Sequence, residues 1–298
     1  MASGTAIPTP RESREERVGI RCSRQCGAIA EFETSAGRHL KTELEGDQPV
    51  KMTFVLVHGT WHGGWAWNAV IAGLEANGHC AHAPTLAGHG PDATRTGITH
   101  ADCVESVVSI IEQRELREVV LVGHSFGGTV AQKVAEKVDD RVARIVFLDA
   151  LILKNNDCVF DVLPAAFLDS LSSKNGSGDV AESSGDPSLL APPPWETWRD
   201  NFMQDAPESL ARLTWEQLSP EPGQVNLDRL DLKRFYSLAI PKSFIFFRQD
   251  LAMPQGYFYP GMSSRLGTYK IVEMDGSHEV MFTRPAELAE KLIEASSD

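Results

Sequence analysis

Positive charge is in short supply in this 298-residue chain. Its 28 Lys and Arg face 41 Asp and Glu, a formal net charge of −13. A chain this negative repels phosphates and acidic headgroups, which argues against nucleic acid or an anionic membrane as a general partner. Cysteine is sparse as well. Cys22, Cys26, Cys80, Cys103 and Cys158 are too few, and odd in number, for a disulfide framework. No second pair completes Cys22 and Cys26 into a metal site, so the five read as free thiols of a cytoplasmic protein. Long apolar runs are missing too. Residues 54–57 and 145–153, the latter broken by Asp149, have the length of buried strands, far short of the roughly 18 that cross a bilayer. No apolar block follows the N-terminal arginines, so no secretory signal is expected. What remains is ordinary globular composition, 42% hydrophobic and 23% charged.

The first 51 residues stand apart. They hold eight basic and eight acidic residues, are rich in Ser, Gly, Arg and Glu, and have few periodic apolar positions. Residues 28–45 have room for a short strand or two, and 1–27 read as a solvated tail. The extension is expected to be largely disordered. Met52, directly before the first strong strand, is an expected internal translation start. All of the charge then falls on 52–298, where 20 basic residues face 33 acidic ones.

From Met52 the pattern alternates strand and helix. Strands are expected at 53–58, 80–83, 118–122, 144–148, 243–247 and 269–273. Helices are expected after Trp67 (ended by Gly78), behind a Thr99/Asp102 capping box, over 127–137 and from Pro285. Such alternation predicts an α/β fold, a mostly parallel sheet with helices on both faces. Residues 154–240 interrupt it, with helical pieces at 162–171 and 195–217 around a Gly/Ser/Pro-rich stretch at 172–194. An insertion over the carboxyl end of a parallel sheet sits where ligands bind, so 154–240 is expected to form a helical cap.

Gly123-His124-Ser125-Phe126-Gly127 fits G-x-S-x-G between an expected strand and helix. Flanking glycines let the backbone turn sharply there and leave the Ser125 hydroxyl at the carboxyl edge of the sheet. A serine needs a base. Of nine histidines, His278 lies on a turn after the last expected strand, at the same sheet end. His39, His79 and His100 read as structural or solvent-facing. An acid must orient that imidazole. Asp250 and Asp149 both end strands and both satisfy the chain order, with Asp250 favoured. The glycines of residues 58–64 allow backbone amides to point inward, and the amides of Thr60 and Phe126 are the expected oxyanion donors.

Taken together, His58-Gly59, the 123–127 elbow, Asp250 ahead of Pro254, and Gly276-Ser277-His278 resemble the α/β-hydrolase fold. The run 54–67, FVLVHGTWHGGWAW, resembles more narrowly the branch of plant hydroxynitrile lyases, plant methyl-ester esterases and related bacterial esterases. The resemblance covers Met52 to the C-terminus. It implies Ser125, Asp250 and His278 as the triad, with the Thr60 and Phe126 amides as the oxyanion hole. The lyases carry threonine where Gly59 stands and lysine after the catalytic histidine, where this chain has Glu279. A carboxylate there repels cyanide, so the lyase alternative is disfavoured.

The expected function is a serine carboxylesterase acting on small to medium, uncharged or aromatic esters through an acyl-enzyme, with neither cofactor nor metal. Lactonase, thioesterase or perhydrolase action by the same triad are alternatives, as is a non-catalytic receptor of the same fold. Trp61, Trp195 and Trp198, with Phe126 and Phe202, are the expected pocket residues. Oligomeric state is not legible.

Overall fold

The computed structural model describes residues 51–172 and 189–297. The expected N-terminal extension, with Cys22, Cys26 and His39, and most of the 172–194 stretch lie outside the described residues.

Six strands, all parallel, form one sheet: β1 (Thr53–Val57), β2 (Cys80–His82), β3 (Val119–His124), β4 (Val142–Leu148), β5 (Lys242–Phe247) and β6 (Lys270–Met274). Their order is β2-β1-β3-β4-β5-β6. Register runs without a break from Thr53 opposite Val119 to Val57 opposite Gly123. All six lie where the sequence places them, with ends shifted by two residues or fewer.

Strand side chains alternate between two cores. Val55, Val57, Val119 and Leu121 join one, against α2 (His100–Gln113) and α3 (Gly127–Lys137). Phe54, Leu56, Val120 and Val122 face the other, against α1 (Asn68–Ala76) and the C-terminal helix Pro285–Ser296. Both faces are covered, which is why these strands read as continuous apolar runs rather than alternating ones. The capping box is present: the Thr99 amide donates to the Asp102 carboxylate at 2.8 Å. No helix among the described residues is long and apolar enough to cross a membrane.

Between β4 and β5 the described chain forms short helices: Val159–Val162, Ala165–Ser172, Trp195–Thr197, the π-helical turn Trp198–Phe202, and Glu208–Trp215. The helical piece expected over 195–217 is therefore broken. Pro207 sits at the N-cap of its last section, and a proline both lacks a donor and biases the residue before it away from helix. The piece expected from Val162 starts at Ala165 for the same reason, directly after Pro164. A two-residue antiparallel pairing, Leu189–Leu190 with Glu221–Pro222, ties the segment together.

The strand order reverses direction between β1 and β3. In an open parallel sheet, the crevice beyond the carboxyl ends at such a point is where ligands bind. Gly59 and Thr60 follow β1, and Ser125 follows β3.

Candidate active site

Ser125 occupies a sharp turn between β3 and α3, with φ of 50°. Leu148 accepts its amide at 3.2 Å, and its own carbonyl accepts the amides of Gly128 and Leu151. The flanking glycines are demanded by contact. A Cβ on Gly123 meets the Gly127 carbonyl oxygen at 2.7 Å, and one on Gly127 meets the carbonyl oxygens of Val57 and His58 at 2.6 Å. The Ser125 turn is thus pressed directly onto the end of β1, which brings Gly59 against Ser125.

His278 is buried. Its Nδ1–H donates to Asp250 Oδ2 at 2.6 Å. Phe258 stacks on the ring and Phe202 meets it edge-on. Burial by itself lowers the imidazole pKa, but the Asp250 carboxylate and its hydrogen bond outweigh it, and the net direction is upward. Asp250 Oδ1 accepts the Ala252 amide at 2.7 Å, so both carboxylate oxygens are held. Asp149, the competing acid of the sequence reading, is fully buried and accepts the Phe247 amide at 3.1 Å. Burial, and then the neighbouring Asp250 charge, push its pKa well above the usual carboxylate range, which favours its protonated form. Chain order left the two aspartates open; contact with the imidazole separates them.

Ser125 and His278 line one cavity together with Gly59, Thr60 and Trp61. Its apolar wall includes Leu151, Val159, Leu163, Phe167, Leu190 and Phe202. The space open to the centre of a water molecule is only about 30 Å³. Among the described residues no hydrogen bond joins the Ser125 hydroxyl to the imidazole, and no protein acceptor takes the amides of Thr60 or Phe126.

Three expected pocket residues are not in the cavity lining. Trp198 is wholly buried, stacked on Phe202 with its indole N–H donating to Ala211 O at 3.1 Å. Trp195 packs on Trp215 and under the Arg212 guanidinium, 3.6 Å from the ring centroid. Phe126 is sunk in the core between the His89 and His100 rings. Aromatic type alone cannot separate lining from core. Leu151, Val159, Leu163 and Leu190, which sequence reasoning missed, carry no local signal that distinguishes them from other buried aliphatics.

Four histidines unassigned by sequence organise the site. His58 Nδ1–H donates to Gly59 O at 2.8 Å and its Nε2 accepts the Leu86 amide at 3.1 Å, which ties the turn after β1 to the loop after β2. His62 Nδ1–H donates to Thr60 O at 2.7 Å. His124 Nε2–H donates to the His278 carbonyl at 3.1 Å. His89 pairs with Glu221 in a fully buried contact of 3.0 Å.

Burial holds the pKa of His58 and His124 well below the ordinary value and brings His62 to about 3 and His100 to about 4. These groups are neutral when folded but take up protons below about pH 6.5 when unfolded. Their contribution to stability is therefore complete above that pH and lost as pH falls toward the folded values. The raised pKa values of Asp149, Glu279 and His278 act in the opposite sense over the same range, so the four imidazoles are expected to leave a modestly lower midpoint of chemical denaturation at pH 5 than at pH 7. Equal midpoints at the two values contradict this account.

His124, His278 and Glu279 bring ligand-type atoms within 4.8 Å of one another. As a donor set for a metal it fits poorly. His124 Nε2 is engaged with a carbonyl, His278 Nδ1 with Asp250, and burial raises the Glu279 pKa to about 8.

A model of the alpha/beta hydrolase family matches residues 54–291. The carbendazim hydrolyzing esterase of Nocardioides sp. (strain SG-4G) is 32% identical over 254 residues, 80% of this chain and 97% of that protein. Methylesterase 1 of Arabidopsis thaliana is 29% identical over 264 residues, 82% of this chain and 95% of its own length. Among solved structures, an alpha/beta-hydrolase from a Paenibacillus species matches with a TM-score of 0.75 at 37% identity, covering 83% of this chain and 100% of that one. It is described as extracellular and as sharing structural and functional homology with tobacco salicylic acid binding protein 2.

Proposed function

The chain belongs to the alpha/beta hydrolase family, and on that premise we propose that it is a serine carboxylesterase whose triad is Ser125, His278 and Asp250. One observation carries the reading: His278, held by its short contact with Asp250, lines the same cavity as a serine on a glycine-flanked turn. Ser125 Oγ attacks the ester carbonyl carbon while its proton passes to His278 Nε2, and Asp250 holds the imidazolium from the far side. The oxyanion accepts from the Thr60 and Phe126 amides. His278 then protonates the departing alkoxide. Water, deprotonated by His278, attacks the acyl-Ser125 ester; the C–Oγ bond then breaks, His278 returns the proton to Ser125 Oγ, and the carboxylic acid leaves. None of these steps calls for a metal or cofactor.

Residues 154–240 act as the cap in this reading. Their Val159, Leu163, Phe167, Leu190 and Phe202 make the wall apolar, which suits small to medium, uncharged or aromatic esters. The acidic catalytic unit disfavours anionic ones. Hydroxynitrile cleavage is disfavoured by two wall positions. Gly59 offers no hydroxyl, and its Cβ position lies 3.1 Å from Ser125 Cβ. Glu279 supplies no cation for departing cyanide. Cys80, Cys103 and Cys158 are free thiols, which supports the reducing environment of a cytoplasmic protein, whereas the Paenibacillus relative is described as extracellular.

A panel of esters, lactones, thioesters and cyanohydrins on the purified chain tests this function. The expected order is fastest turnover on neutral aryl and short-chain esters, with little on lactones or cyanohydrins. A preference for lactones or cyanohydrins overturns the assignment, and binding without turnover favours a receptor.

A further inference from the structure

Two buried side chains in the cavity wall have no step in the acyl transfer just described. Glu279 follows His278 directly, and His62 lies in the oxyanion turn after β1. Both side chains are no more than 3% exposed, and both border the cavity. Glu279 Oε2 and His62 Nε2 lie 3.4 Å apart, and neither atom has a hydrogen-bond partner among the described residues. Phe282 stacks on His62, and its amide donates to the Glu279 carbonyl at 3.0 Å, so the two side chains are held facing each other.

The protons can be placed by elimination. A backbone carbonyl only accepts, so the 2.7 Å contact with Thr60 O puts the ring proton of His62 on Nδ1. In a neutral ring, Nε2 is then a bare lone pair. An ionised carboxylate opposite it also only accepts, and two facing acceptors in a buried wall leave both unsatisfied. One proton on the carboxyl resolves the contact. The gap exceeds an ordinary O–H···N bond by about half an ångström, within reach of a small side-chain rotation.

We propose that Glu279 works as an un-ionised carboxylic acid that donates to His62 Nε2 and, through His62, holds Thr60 in its oxyanion-binding conformation. Glu279 is then a positioning residue. The inference rests on the triad and oxyanion reading above. Its electrostatic setting agrees. Burial raises the Glu279 pKa to about 8, the neighbouring His278 opposes that rise, and Asp250 adds to it. His62 is brought to about 3, chiefly by burial. The titratable groups facing the carboxyl are His62, His278, His124 and Asp250. Arg284, further along the chain, is paired with Asp205 and Glu287 instead.

Because the folded pKa is raised, the working form exists below about pH 8 and is lost as pH climbs through it. Ionisation sets an acceptor against the His62 lone pair and a second negative charge beside His278.

The test is the pH profile of kcat/KM for an aryl ester with the full chain, in the parent, Glu279→Gln and Glu279→Leu. The parent is expected to lose activity on the alkaline side with a midpoint near 8. Glu279→Gln keeps a donor and loses that alkaline limb. Glu279→Leu has no donor and falls by roughly tenfold in kcat at neutral pH, more than the Gln variant, as expected when a positioning contact goes. An alkaline limb that persists in Glu279→Gln overturns the proposal, as does a Leu variant at least as active as the Gln variant. Should either variant fold poorly, infrared titration of the parent reads the same proton. A carboxylic-acid C=O band, separate from that of the buried Asp149 carboxyl and lost in whichever Glu279 variant does fold, must disappear as pH rises through about 8, and no such titrating band means the proposal is wrong. The band is also expected in Ser125→Ala protein. Its loss there, or ester turnover by that variant, therefore separates failure of the proton assignment from failure of the triad.

Discussion

Replacing Ser125 by alanine is expected to lower kcat/KM for ester hydrolysis by at least about a thousandfold while leaving the melting temperature close to that of the parent. The chemistry predicts the first half. Without Oγ no acyl-enzyme forms, and what survives is the catalysis that an oxyanion hole and bound substrate give to direct attack by water. The structure predicts the second half. The Ser125 backbone carries the local hydrogen bonds, to Leu148, Gly128 and Leu151, and alanine keeps all three. The measurement pairs a chromogenic-ester assay with a burst experiment. Stoichiometric product release from the parent should vanish in the variant. Ester turnover near the parental rate in Ser125→Ala means that the nucleophile lies elsewhere.

The second large effect is on stability. Gly127→Ala is expected to cost about 3 kcal/mol, enough to lower the melting temperature by roughly 6 to 12 °C in a domain of this size. The new methyl group lands 2.6 Å from two carbonyl oxygens, those of Val57 and His58, at the end of β1. No side chain is free to swing away, so backbone must move. The movement displaces α3 and the nucleophile turn relative to Gly59 and Thr60. Because an ångström of misplacement costs on the order of a hundredfold in rate, activity of the folded fraction should fall as well. Gly78→Ala is the informative control. A Cβ at Gly78 meets nothing within 4 Å, although the positive φ still carries its own smaller cost. Equal stability of the two variants means the elbow is not packed as tightly as described.

Much of this molecule was legible from its sequence, and the reason is local. The strands 53–57, 119–124 and 142–148 announce themselves because both sheet faces are covered, so nearly every residue is apolar. The Thr99/Asp102 box is likewise written within four residues. The sharp turn at Ser125 was legible because it needs glycine on either side. The carboxylate that meets His278 was harder to single out, because Asp149 and Asp250 each end a strand and only the contact with His278 Nδ1 distinguishes them. The pocket was least legible. Trp195 and Trp198 share the residue type expected of a lining, yet Arg212, Trp215 and Phe202 take up their faces. The pairing of His62 with Glu279 leaves no trace in local pattern at all, since it joins the turn after β1 to the turn after β6.

Three residues without the licence of glycine hold positive φ around this one cavity or directly behind it: Trp61 at 67°, Ser125 at 50° and Asp149 at 28°. Each conformation is one that the chain leaves at once when the surrounding packing allows, at a cost of about 1 to 3 kcal/mol while it is kept. The site is therefore a reservoir of conformational strain, held in place by the two cores beneath it. A lineage drifting toward thermal robustness alone gains by relaxing these turns, and its chemistry fades before its fold does. Glu115, Glu118 and Asn156, none of them in the cavity lining, hold positive φ as well, so these torsions are a cost that the packing carries in several places and not a mark peculiar to the site.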